Sequence, residues 1–181
     1  MDRPGGGVDV ISRARITAAP RQDDVSAELV NHLVDPSRAD GPLRLRLAPS
    51  PHGRGALDGG WWPYSRDLAA EAMDLVDHFP EWFDRIYRVT YSTPDWDHVS
   101  QRRIRADKVF VTFGSFPRDD THLVLLTSVA GTQPLQLLVV PPTWNAHAAH
   151  RAMRTAASPT NARSATKILE DSRGWVPTDL L

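Results

Sequence analysis

The chain has 181 residues, a hydrophobic fraction of 41% and no cysteine, which is enough apolar material for one domain with tails and excludes disulfides, thiolate nucleophiles and cysteine-ligated metals. A formal net charge of −1 and a pI near 6.6 lack the concentrated basic surface that nucleic-acid binding needs, and a mean hydropathy of −0.37 with no long apolar run provides no membrane span. No charged-then-apolar leader opens the chain, so the expected compartment is the cytoplasm.

Residues 1–41 begin with RPGGG, carry scattered charge and few aromatics, and read as a flexible arm. Within the arm, Val25, Leu29 and Leu33 recur at helical spacing and predict a short helix. The domain is expected to begin at residue 42, because Leu43, Leu45 and Leu47 alternate with Arg44 and Arg46 in the pattern of a half-buried strand. The block GALDGGWWPYSRDL, from Gly55 to Leu68, then reads as a sharp corner: its glycines allow a tight reversal and Pro63 stiffens the exit. Ser65 is placed to cap a helix whose apolar stripe is Leu68, Ala72, Leu75, Val76 and Phe79, and Pro80 ends it.

Ile86 to Tyr91 is β-branched and aromatic and predicts a strand, followed by a loop from Ser92 to Asp97. Arg103–Arg105 and Lys108–Phe116 are strand-like on either side of Ala106-Asp107, which reads as a hairpin. His122 to Val129 and Leu135 to Val140 predict two more strands, and Pro141-Pro142 stops the last. A helix capped by Thr143 or Asn145 then runs to about Ala157. Residues 159–181 read as a tail with a short helix from Ala165 to Asp171. The order β-α-β-β-β-β-β-α, with short connections, predicts an α+β domain over residues 42–158: an antiparallel meander of five or six strands with its helices on one face.

Leu57, Asp58, Gly59, Trp61, Trp62, Pro63, Ser65, Arg66, Asp67 and Leu68, joined later by Val139, Val140, Pro141 and Pro142, carry a resemblance. An LDG-x-WWP-x-SRDL block with a later VVPP segment resembles an uncharacterised actinobacterial family of unknown function. The resemblance spans roughly Leu43 to Ser158 and implies a shared fold. It implies no activity, cofactor or catalytic residue.

Read from the residues alone, the corner is the leading candidate site. Trp61 and Trp62 could wall a planar ligand, with Asp58, Arg66 and Asp67 orienting its polar groups, although packing alone also accounts for adjacent tryptophans. Asp67, Glu71, Asp74 and His78 share a helix face that could hold a cation. A solvated polar face gives the same pattern, no HExxH motif is present, and no metal or cofactor is expected. His147, His150, Arg151 and Arg154 form a basic face on the second long helix. His98 beside Asp95 and Asp97, and His122 beside Asp119 and Asp120, supply acid–base residue types without a G-x-S-x-G elbow. The expected function is a non-enzymatic domain that binds a small molecule or a protein partner at the Trp61-Trp62 corner. The alternatives are a hydrolase-like enzyme using Asp58, Asp67, Asp95 or His98, and a homo-oligomeric interaction module, with a homodimer as its simplest form.

Overall fold

Strand and helix periodicities of the sequence recur in the structure, a computed structural model that describes residues 41–97, 99, 102–106, 109–116, 121–131 and 133–173, all within one compact unit. The described elements are β1 (Leu45–Leu47), β2 (Gly59–Trp61), α1 (Leu68–Asp77), β3 (Ile86–Tyr91), β4 (Arg103–Arg105), β5 (Phe110–Ser115), β6 (Leu123–Ser128), β7 (Leu135–Val139), α2 (Ala146–Ala156) and α3 (Ala165–Arg173). A single 3-10 turn, Thr93–Asp95, follows β3. The short helix expected around Val25 to Leu33 lies outside the described residues.

The seven strands form one sheet in the order β1-β2-β7-β6-β3-β5-β4. This corrects the antiparallel meander: β2 pairs with β7, and β3 with β5, in parallel, while the remaining neighbours are antiparallel. Short connections suggested that consecutive strands pair, but β3 inserts between β5 and β6. Its parallel partner β5 is reached only after the 92–102 segment and β4, a connection long enough for a crossover. The expected hairpin does join β4 to β5, with Ala106 and Val109 exchanging both backbone hydrogen bonds (3.0 and 3.4 Å).

The extra strand is β2, hidden in the glycine-rich corner. A side chain at Gly59 would collide with the backbone of Arg46, its neighbour on β1. A Cβ at Gly60 would lie 3.0 Å from Met153 Cα of α2. The two glycines therefore let a strand and a helix approach closely, the role of glycine in a strand, more than they reverse the chain.

Helices cover both faces of the sheet, not one. Along β7, Leu135, Leu137 and Val139 enter one core with Leu68, Ala72 and Leu75 of α1. Leu138 and the following Val140 enter another with Ala149, Ala152, Met153 and Ala156 of α2 and Ala165, Ile168 and Leu169 of α3. Successive strand residues point to opposite faces, so these are two cores separated by the sheet. Helix α3 belongs to the second of them, and the packed domain continues past residue 158.

Candidate functional site

The corner divides between the two cores. Trp61, the last residue of β2, is 1% exposed and packs in the α1 core with its ring 5.3 Å from that of Trp96. Trp62 is 7% exposed and faces the other way, edge-on to His150 and packed with α2. Arg44 is clamped between the rings of Trp62 and Tyr64, with its guanidinium carbon 3.7 and 3.6 Å from their centroids. It donates from Nε to Trp62 O (2.8 Å) and from Nη2 to Pro63 O (2.5 Å). Partial burial lowers the Arg44 pKa, against the opposing influence of Tyr64 and Glu71. The alternating LRLRL pattern marks Arg44 as outward-facing without showing that it locks the corner.

The corner's polar residues have local partners. Asp58 is buried; its Oδ1 accepts from the His52 backbone N–H and its Oδ2 from that of Gln136 (2.9 Å), tying the 48–58 loop to β7. Asp67, not Ser65, caps α1, with Oδ1 accepting from Ala69 N (3.0 Å) and Ala70 N (3.3 Å). The Ser65 hydroxyl donates instead to Glu71 Oε1 (2.7 Å), and Tyr64 N–H donates to Glu71 Oε2 (2.9 Å). Burial raises the Glu71 pKa, and these two bonds oppose the rise only in part. Asp74 Oδ1 lies 2.9 Å from His78 Nδ1, so the acidic face of α1 resolves into a cap, an anchor and a carboxylate–imidazole contact. Arg66 donates to Asp97 Oδ1 (3.0 Å) and Pro94 O (3.1 Å), and Asp97 N–H returns a bond to Arg66 O (2.9 Å). The Trp61–Trp96 contact and the Arg66–Asp97 pair together fasten the corner to the 92–97 loop.

That loop carries Asp95, and Asp95 forms the arrangement that spacing did not reveal. Its side chain is only 5% exposed, and both oxygens are directed at His122: Oδ2 accepts the His122 backbone N–H at 2.7 Å, and Oδ1 lies 2.7 Å from ring Nδ1. His122 has φ +64°, the left-handed region that β-carbon sterics disfavour, and its carbonyl accepts from Val139 N (2.9 Å). His52 repeats the motif at φ +60°, its backbone N–H also taken by a buried aspartate, but its ring lies 4.0 Å from Asp58. An ionised carboxylate only accepts, so Nδ1 of His122 carries the hydrogen and Nε2 is the nitrogen left for another group.

His122 lines a cavity of about 290 Å³ together with Pro141, Trp144, Thr166, Leu169, Glu170 and Arg173. Elements distant in sequence build it: His122 stands just before β6, Pro141 and Trp144 lie between β7 and α2, and the rest come from α3. The Thr166 hydroxyl lies 3.3 Å from that of Thr121. A larger cavity, about 370 Å³, lies among Val76, Phe79, Phe83, Ile86 and Val109, with Asp77, Glu81, Asp84 and Arg85. In that cavity, Asp84 is engaged by Ala130 N–H (2.5 Å), a bond that holds its pKa down. Neither cavity is lined by Trp61, Trp62, Asp58, Arg66 or Asp67.

Asp95 and His122 are each visible in the sequence as acid–base residue types, but not as partners of one another. Asp95 pairs with His122, while His98, Asp119 and Asp120 lie outside the described residues. Trp144, Thr166 and Arg173 carried no sequence signal of a site. No group of histidine, aspartate and glutamate able to hold a metal ion occurs among the described residues, and no described helix is long and apolar enough to cross a membrane.

No curated protein and no solved structure matches the chain. A protein-family model, that of the family of unknown function DUF5994, matches residues 44–156, which include Arg44, the tryptophan corner, Asp95, His122, all seven strands, α1 and α2. With more than half of its length inside that match, the chain belongs to the family of unknown function DUF5994.

Proposed function

We propose that this chain is a small-molecule-binding domain whose ligand occupies the cavity beside His122. One observation carries the reading: a buried aspartate holds both the backbone N–H and the ring of a left-handed histidine at a cavity wall. A strained residue over-determined by its surroundings is characteristic of sites where one side chain must be aimed. The volume, about 290 Å³, falls at the small end of ligand pockets and suits a metabolite. In this reading the tryptophan corner supports the site from a distance, by fixing the loop that bears Asp95. Crystals soaked with fragment cocktails test it. Ligand density against His122 and Trp144 is the expected result; density confined to the Trp61-Trp62 corner or to the Phe79–Phe83 cavity would contradict it.

The 2.7 Å contact between Asp95 Oδ1 and His122 Nδ1 also favours a second reading, acid–base catalysis with Nε2 as the proton acceptor. Hydrolysis of p-nitrophenyl acetate and p-nitrophenyl phosphate tests this. Under the catalytic reading, His122→Ala lowers one of these rates by roughly 100-fold or more; identical rates for variant and wild type refute it.

A further inference from the structure

We infer that the ligand of the His122 cavity is a small organic anion, its oxyanion held by Arg173 and its apolar body lying against Trp144 and Leu169. The inference rests on the reading that this cavity is a ligand site. It follows from the charges of the lining. Glu170 is the one carboxylate on the wall, and its Oε2 is paired with Lys167 Nζ (3.3 Å). The neighbouring Asp171 is shared between Lys167 (3.2 Å) and Arg163 (3.5 Å). Both oxygens of Asp95 are turned to His122. Among the described residues no carboxylate pairs with Arg173, the one arginine on the wall.

A guanidinium presents a planar fork of donors that matches the geometry of a carboxylate or a phosphate. The Thr166 hydroxyl can add a further hydrogen bond. The His122 ring, held by Asp95 through Nδ1, stands on the same wall. The rest of the wall is apolar, formed by Pro141, Trp144 and Leu169, so a bare inorganic ion would leave it unused. The chemistry therefore describes a compact molecule with one oxyanionic head and one flat or aliphatic body.

The test is a set of ¹H–¹⁵N NMR titrations with four compounds of matched shape: benzoate, phenyl phosphate, benzamide and benzylamine. At least one of the two anions should shift the His122 amide and the Trp144 indole N–H at a concentration ten-fold or more below that required by benzamide. The anion that does so distinguishes a carboxylate from a phosphate ligand. Arg173→Gln should abolish the preference while leaving the thermal midpoint unchanged, because Arg173 is exposed at the end of α3. If benzamide or benzylamine shifts the same resonances as strongly as the anions, the cavity stands as a ligand site and the anion inference falls. If none of the four shifts a cavity resonance at millimolar concentration, the cavity reading fails and this inference fails with it.

Discussion

Replacing Trp62 by alanine separates packing from recognition at the corner. Trp62 is 7% exposed, and a tryptophan buries about 150–250 Å² of surface; at about 25 cal/mol per Å², losing most of it costs roughly 4 kcal/mol. The Arg44 guanidinium, 3.7 Å from the ring centroid, adds about 0.5–1 kcal/mol that would also disappear. The sum agrees with the ~3–5 kcal/mol typical of Trp→Ala in a core and is a large share of a domain's total of about 5–15 kcal/mol. Urea unfolding followed by far-UV circular dichroism reads it directly. Trp62→Phe keeps a ring under Arg44 and should cost less than half as much. An alanine variant within about 1 kcal/mol of wild type would refute the packing account, since only a solvent-facing tryptophan could be removed at so small a cost.

Three further outcomes follow from the same geometry. Gly60→Ala should destabilise by about 1–3 kcal/mol, because the new Cβ would stand 3.0 Å from Met153 Cα and 3.1 Å from its Cγ; an unchanged urea midpoint would show that α2 sits farther from β2. Asp95→Ala should cost about 1–3 kcal/mol, mainly by leaving the His122 amide without its acceptor, and a thermal midpoint equal to wild type would contradict the pairing. Glu71 has a raised pKa in the fold, so the native state keeps its proton to higher pH than the unfolded chain does. Its contribution is full below the ordinary carboxylate range and falls as pH climbs through the interval up to the raised value. Urea midpoints measured from about pH 4 to pH 7 should therefore fall less for Glu71→Gln than for wild type, and parallel curves would refute the assignment.

Much of this architecture was legible in local pattern. The Leu68–Phe79 stripe gave α1, the apolar run before Pro141 gave β7, and of the two caps that the pattern allows, Thr143 and Asn145, it is Asn145 that accepts from Ala148 N, at 2.9 Å. Partnership between distant segments was not legible. Nothing in the spacing says that β3 inserts between β5 and β6, or that Trp61 and Trp62 serve different cores, although strand alternation would imply the latter once Gly59-Gly60 is recognised as strand. Ser65 and Asp67 are both good capping residues. The choice between them is made by Glu71, which draws the Ser65 hydroxyl away. The candidate site was the least legible part. Asp95 and His122 are 27 residues apart and meet only because β3 and β6 are paired.

The claim that Asp95 aims His122 into a ligand cavity is tested most directly by the ring nitrogens of His122, observed in a long-range ¹H–¹⁵N spectrum with and without benzoate. The chain has 7 histidines, and only His122 should respond. Without ligand, the neutral His122 ring should show the Nδ1–H tautomer, and benzoate should move its Nε2 resonance while the other six rings stay in place. An Nε2–H tautomer, or a His122 signal indifferent to every ligand that binds the protein, would contradict the account.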